Sequence, residues 1–73
     1  MQNTIYSKEH KHLVDQLKKA RKKAGFEQKK VAKLLGMTQS SISKIESGQR
    51  RVDVVQLKEL ANIYKKKLDF FIK

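Results

Sequence analysis

The chain lacks several residue types that whole classes of function require. It contains no cysteine and no proline among its 73 residues. Without cysteine, disulfides, thiolate metal sites and cysteine nucleophiles are excluded, which fits a reducing compartment. Apolar runs are only a few residues long, far short of the ~20 residues that a membrane span needs. Residues 1–7 lack the apolar core of a secretory signal, so we expect a cytoplasmic protein.

Acidic residues are scarce, and the resulting charge favours a polyanionic partner. Seven Asp and Glu stand against 18 Lys and Arg, which leaves a net charge of +11. Nucleic acid is the first candidate, because phosphate contacts supply most non-specific affinity. An anionic membrane surface, or simply a well-solvated surface, would also fit the charge. The length predicts one domain over residues 1–73 and leaves little room for a deep enzyme cleft.

Apolar residues recur at helical spacing along the chain and predict a compact all-α domain. Three glycines, Gly25, Gly36 and Gly48, separate the helices. Thr38 is placed to cap the third helix, and Asp53 or a neighbour caps the fourth. The predicted helices are Lys8 or Glu9 to Ala24, Gln28 to Leu35, Gln39 to Ser47, Val54 to Tyr64 and Leu68 to Ile72. The first helix is expected to bury one apolar stripe, which consists of Leu13, Leu17, Ala20 and Ala24.

Residues 28–47 have the pattern of two short helices joined by a tight turn. The turn is Gly36-Met37-Thr38, where a left-handed backbone suits glycine. The third helix then presents an outward stripe without acidic or large apolar residues, formed by Gln39, Ser40, Ser43 and Lys44. Amide, hydroxyl and ammonium groups are those that contact base edges and phosphates in protein–DNA interfaces.

This segment resembles the lambda-repressor-like helix-turn-helix family, also called the XRE or Cro/repressor type. The matching stretches are residues 25–28, 31–39 and 42–48, and the resemblance covers most of the chain, from about Leu13 to Ile72. It implies a five-helix fold in which the second and third helices form the helix-turn-helix unit. It also implies sequence-specific binding of double-stranded DNA, with the third helix in the major groove.

The resemblance implies a role for individual residues by their position in the motif. The residues expected to contact base edges are Gln39, Ser40 and Lys44. Those expected to contact phosphate or sugar are Gln28, Ser41, Ser43, Arg50 and Arg51. Arg21 and Glu46 match an internal ion pair of the family, which would join the first helix to the end of the third.

Three departures from the family pattern carry further expectations. Glu27 stands where Ser or Thr is usual, which predicts a weaker cap on the second helix. Lys65 replaces a common glycine, which predicts a looser turn before the fifth helix. Phe71 fits a core position, whereas Phe70 occupies a position that is usually polar and would be exposed on a monomer. Because exposed aromatic residues often mark interfaces, we predict a homodimer with Phe70 in its interface.

The sequence offers no support for catalysis or for a cofactor. His10 and His12 are two residues apart, so on a helix they point away from each other and predict no metal site. Ser40, Ser41 and Ser43 have no histidine base nearby in the sequence, so no nucleophile is predicted.

The pattern therefore predicts a stand-alone transcriptional regulator of the Cro/repressor kind. The alternative is an antitoxin that mainly binds a toxin protein and regulates its own promoter. A third option is an RNA or membrane-surface binder that uses the basic first helix. Against RNA, the chain offers no aromatic stacking platform. Against membranes, the first helix has no large aromatic residue on its apolar stripe.

Overall fold

The computed structural model describes residues 8–72, which form five α-helices and no strand. The helices are α1 (Lys8–Ala24), α2 (Gln28–Leu35), α3 (Gln39–Glu46), α4 (Val54–Tyr64) and α5 (Leu68–Ile72). The predicted all-α, five-helix fold is confirmed. Helix α3 ends at Glu46, one residue before the predicted end, and Ser47 is its C-cap. None of the described helices is long and apolar enough to cross a membrane.

Local chemistry explains where the helices begin. The Thr38 side chain accepts a hydrogen bond from the backbone N–H of Ser41 and caps α3. Asp53 and Gln56 form a reciprocal capping box at the start of α4. The Glu27 side chain makes no capping hydrogen bond to α2, as its departure from the family pattern predicted.

The turn after α4 corrects one expectation. Lys65 adopts the left-handed conformation, with φ of 56°, that a glycine would take without strain. Its backbone N–H donates to the carbonyl of Asn62, and the N–H of Lys66 donates to the carbonyl of Ala61. These bonds close the helix end in the usual way. The turn is therefore not looser, and the missing glycine costs backbone strain instead.

Helix α1 is the scaffold of the domain, because it packs against α3, α4 and α5. Its buried residues are Val14, Leu17 and Ala20, so the predicted stripe is only partly right. Leu13 is half-buried, and Ala24 is exposed. Ala24 is the last residue of α1, a full turn beyond Ala20, where neighbouring helices no longer cover the stripe. The rest of the core consists of Val31, Ala32, Ile42, Ile45, Leu57, Leu60, Ala61, Tyr64 and Phe71.

Phe70 is half-buried, so the expectation that a monomer leaves it exposed is wrong. Its ring meets that of Phe71 edge to face, with centroids 5.1 Å apart. The Lys66 ammonium lies 4.8 Å from the centroid of the Phe70 ring and covers part of it. Gln16 of α1 donates a hydrogen bond to the Phe70 carbonyl over 3.0 Å, which holds α5 against α1. Phe71 itself is fully buried, as predicted.

Candidate nucleic-acid interface

Helices α2 and α3 form one unit around a short turn. Gly36 ends α2 in the left-handed conformation, with φ of 68°, and Thr38 then caps α3. A Cβ at Gly36 would meet no atom within 4 Å, so glycine is needed there for its backbone angle rather than for space. The two helices meet through buried side chains, namely Val31, Ala32, Ile42 and Ile45. This packing fixes which face of α3 points outward.

The outward face of α3 consists of the predicted polar stripe. Gln39, Ser40, Ser43 and Lys44 are all exposed. The helix has 8 residues and is therefore about 12 Å long, a size that the major groove of B-DNA admits. The stripe offers donors and acceptors with one positive charge and no negative charge. Such a face is suited to base edges and phosphate oxygens.

Ser41, by contrast, faces the N-terminal end of α3. It is half-buried, and its hydroxyl lies 3.0 Å from the hydroxyl of Thr38. Its backbone N–H also donates to the Thr38 hydroxyl oxygen over 3.1 Å. The structure therefore places Ser41 in the cap of α3, apart from the exposed stripe.

Arg50 and Arg51 lie in the loop between α3 and α4, and both are exposed. The backbone N–H groups of Gln49 and Arg50 donate to the carbonyl of Lys44, over 2.9 and 3.2 Å. These bonds hold the beginning of the loop against the end of α3. Arg51 instead borders a cavity near the start of α1, together with Val52 and Phe71. Of the two arginines, only Arg50 has a backbone hydrogen bond to α3.

A partly buried polar network joins the ends of three helices. Arg21 of α1 donates to both carboxylate oxygens of Glu46, over 2.7 Å from Nε and 3.1 Å from Nη2. Arg21 also donates to the carbonyl of Phe26 over 2.8 Å. The hydrogen bond to Glu46 raises the pKa of Arg21 still further, so the guanidinium stays charged. The predicted pair is therefore largely shielded from solvent, and it fixes the end of α3 relative to α1.

Gln28 belongs to the same network. Its Nε2 donates to Oε1 of Glu46 over 3.1 Å, and its side chain is half-buried. An amide nitrogen carries two hydrogens, so one remains available for a further acceptor. The network thus orients Gln28 at the first position of α2. Because Glu27 does not cap this helix, the first-turn N–H groups beside Gln28 also lack a side-chain cap.

The structure brings together residues that the sequence patterns did not connect. A surface groove is lined by Lys18 and Lys22 of α1 together with Gln28, Ser43 and Ser47. Arg21 and Glu46 also border this groove. The sequence did contain a signal, since Lys18 and Lys22 are four residues apart and flank Arg21. Only the packing of α1 against α3 places them beside the predicted contact residues.

Comparison with known families identifies the domain. A family model described as "Helix-turn-helix" matches residues 17–71. This match covers more than half of the chain, and the α2–α3 geometry agrees with it. The chain belongs to the helix-turn-helix family, and the resemblance seen in the sequence is confirmed.

One relative extends this comparison. The chain is 36% identical over 59 residues to the SPbeta prophage-derived uncharacterized HTH-type transcriptional regulator YonR of Bacillus subtilis (strain 168). The aligned region covers 81% of this chain and 55% of the relative. The chain thus spans about half the length of this curated relative. No solved structure gives a significant match.

Proposed function

We propose that this chain is a DNA-binding transcriptional regulator that reads sequence in the major groove with α3. Its helix-turn-helix family, the regulator to which it is similar, and its net charge of +11 support this proposal. No observation favours the antitoxin alternative. The proposal retains the cytoplasmic location predicted from the sequence, since the protein must reach its DNA.

The observation that carries the proposal is the exposed polar stripe of α3 on a rigidly held helix. Ile42 and Ile45 bury the opposite face, and the Arg21–Glu46 pair anchors the C-terminal end. A helix held along its buried face and at its C-terminal end presents its side chains in one geometry, which base recognition requires. The stripe therefore has the position and the chemistry of a recognition surface.

Each residue has a role in the proposal. Gln39, Ser40 and Lys44 contact base edges, because they occupy the exposed stripe from the first turn of α3 onward. The residues that contact the phosphate backbone are Gln28, Ser43, Arg50 and Arg51. Ser41 is assigned to the cap of α3 rather than to phosphate, because its hydroxyl is hydrogen-bonded to Thr38.

The proposal includes a homodimer with Phe70 at its interface. Phe70 is only half-covered, and the neighbouring Ile72 is 63% exposed, so α5 retains apolar surface for a second copy. A two-fold dimer would place two α3 helices on half-sites about 34 Å apart. We further propose repression as the mode of action, because a protein bound across a promoter excludes polymerase sterically.

Selection of bound duplexes from a random DNA pool tests the function. We expect enrichment of one sequence, arranged as an inverted repeat with half-sites about one helical turn apart. The doubly substituted Gln39→Ala/Lys44→Ala protein should lose this enrichment, while Lys58→Ala, an exposed change on α4, should retain it. A wild-type protein that enriches no sequence would refute the proposed regulator.

A further inference from the structure

Helix α1 carries a stripe of charged residues on one face. Lys11, Asp15, Lys18 and Lys22 follow one another at intervals of four, three and four residues, which aligns them along the helix. The groove at the C-terminal end of this stripe contains Lys18 and Lys22. Its other wall comes from the start of α2 and the end of α3. The stripe therefore runs into the interface described above.

The charges within this groove do not cancel. The Arg21 guanidinium and the Glu46 carboxylate form a bidentate pair and neutralise each other. Glu46 is the only acidic residue among those lining the groove, and Arg21 already neutralises it. Asp15, three residues before Lys18 on the same helix, lies outside the groove lining and offsets at most one of the two lysines, so the groove keeps a net positive charge. Three uncharged polar side chains complete the lining, namely Gln28, Ser43 and Ser47. Two cations surrounded by amide and hydroxyl donors form a setting suited to phosphate oxygens.

Fold stability accounts for only part of this arrangement, through the attraction between Lys18 and Asp15 three residues before it. Like charges four residues apart on a helix repel each other and are slightly destabilising. The helix dipole favours Lys22, which lies in the last turn of α1, but this effect fades beyond one turn and does not reach Lys18. Within residues 8–72, no hydrogen bond or ion pair joins either lysine to another side chain. A ligand of opposite charge would compensate both.

We propose that Lys18 and Lys22 bind the DNA phosphate backbone beside Gln28, which extends the interface from the α2–α3 unit onto α1. This inference rests on the proposed function, since it requires DNA at α3. Ser43 of α3 lines the same groove as both lysines, so a phosphate strand that passes Ser43 and Gln28 runs along α1. The groove has no apolar side chain in its lining, which favours a nucleic-acid backbone over a membrane surface.

The test compares the salt dependence with which three double variants bind a random-sequence duplex. Lys18→Gln/Lys22→Gln removes the two groove cations. Lys19→Gln/Lys23→Gln is its matched control, because it removes the same charge at the same spacing from exposed positions one residue further along α1. Fluorescence anisotropy at a series of salt concentrations gives the slope of log affinity against log salt. Lys18→Arg/Lys22→Arg retains the charge and should retain the wild-type slope.

Loss of two phosphate contacts should reduce the slope by about 1.8 and the affinity at 0.1 M salt by on the order of 60-fold, with the difference vanishing toward 1 M. The matched control should change the slope by much less. The Tm of Lys18→Gln/Lys22→Gln should stay close to that of wild type, because removal of the repulsive pair offsets the loss of the Asp15 attraction and of the favourable interaction between Lys22 and the helix dipole.

The outcomes separate this inference from the function on which it rests. A wild-type protein with no salt-dependent DNA binding would refute the proposed function. If the wild-type protein binds DNA but Lys18→Gln/Lys22→Gln and Lys19→Gln/Lys23→Gln have the same slope of log affinity against log salt, only the role of Lys18 and Lys22 is refuted. Vesicles that contain phosphatidylserine provide the third arm. Binding to vesicles that depends on Lys18 and Lys22, combined with unchanged DNA binding, would assign the groove to membranes and overturn the inference.

Discussion

Replacing Arg21 with methionine should destabilise the fold, because it leaves a buried carboxylate without its cation. The side chains of Arg21 and Glu46 are only 12% and 5% exposed, and Nε lies 2.7 Å from Oε2. Removing one partner of a buried pair costs about 3–5 kcal/mol. Glu46 would keep its hydrogen bond from Gln28, so we expect a loss near the lower end, about 3 kcal/mol.

A loss of this size is a large part of the total, since a chain of this length has roughly 4–11 kcal/mol of unfolding free energy. It corresponds to a fall in Tm on the order of 12–24 °C. Urea unfolding followed by circular dichroism measures the change directly. Lys23→Met, an exposed change on the same helix, is the control and should stay within about 0.5 kcal/mol of wild type.

The double variant Arg21→Met/Glu46→Leu isolates the cause. It leaves no buried charge unpaired, so it should recover most of the stability that Arg21→Met loses. If Arg21→Met unfolds like wild type but binds DNA more weakly, Arg21 is a phosphate contact and the structural role is wrong. If the double variant is no more stable than Arg21→Met, the stranded carboxylate is not the source of the loss.

Four further substitutions test the helix ends and the proposed dimer. Asp53→Ala should lower the free energy of unfolding in urea by about 1 kcal/mol, because it removes the cap of α4. Glu27→Ala should change it by almost nothing, because Glu27 makes no capping hydrogen bond, and equal losses would contradict the capping assignment. Lys65→Gly should stabilise the protein by about 0.5–1 kcal/mol, because it relieves the left-handed strain, and any loss would show that the lysine side chain outweighs it. Phe70→Lys should give a monomer with weaker binding to a two-site DNA, and sedimentation that shows a wild-type monomer at high concentration would rule out the dimer.

The helices could be predicted from the sequence because their ends are marked locally. Gly25 and Gly36 adopt the positive φ angles that end α1 and α2, and Thr38 and Asp53 cap the helices that follow them. These signals act within a few residues, so they do not depend on how the helices pack. The family pattern added the pairing of Arg21 with Glu46, which spacing alone would not reveal.

Features that depend on packing between distant elements could not be derived in this way. The prediction that Ala24 is buried was wrong, because how much of α1 is buried depends on where the helices packed against it end. Phe70 is half-covered because Gln16 holds α5 against α1 and Lys66 lies over the ring. The groove could not be derived from the sequence either, because only the fold places Lys18 beside Gln28.

The central claim is that α3 reads DNA sequence, and one titration series with two variants tests it most directly. Gln39→Ala removes an amide that can both donate to and accept from an adenine edge in the major groove. Arg50→Ala removes a cation from the loop that is bonded to the end of α3. The affinity of each variant is measured for the selected site and for random DNA over a range of salt concentrations.

Gln39→Ala should cost about 1–3 kcal/mol on the selected site and almost nothing on random DNA, with its salt slope unchanged. Arg50→Ala should weaken binding to both duplexes alike and reduce the slope by about one unit. If Gln39→Ala instead weakens binding to both duplexes equally, α3 does not read sequence through Gln39 and the central claim fails.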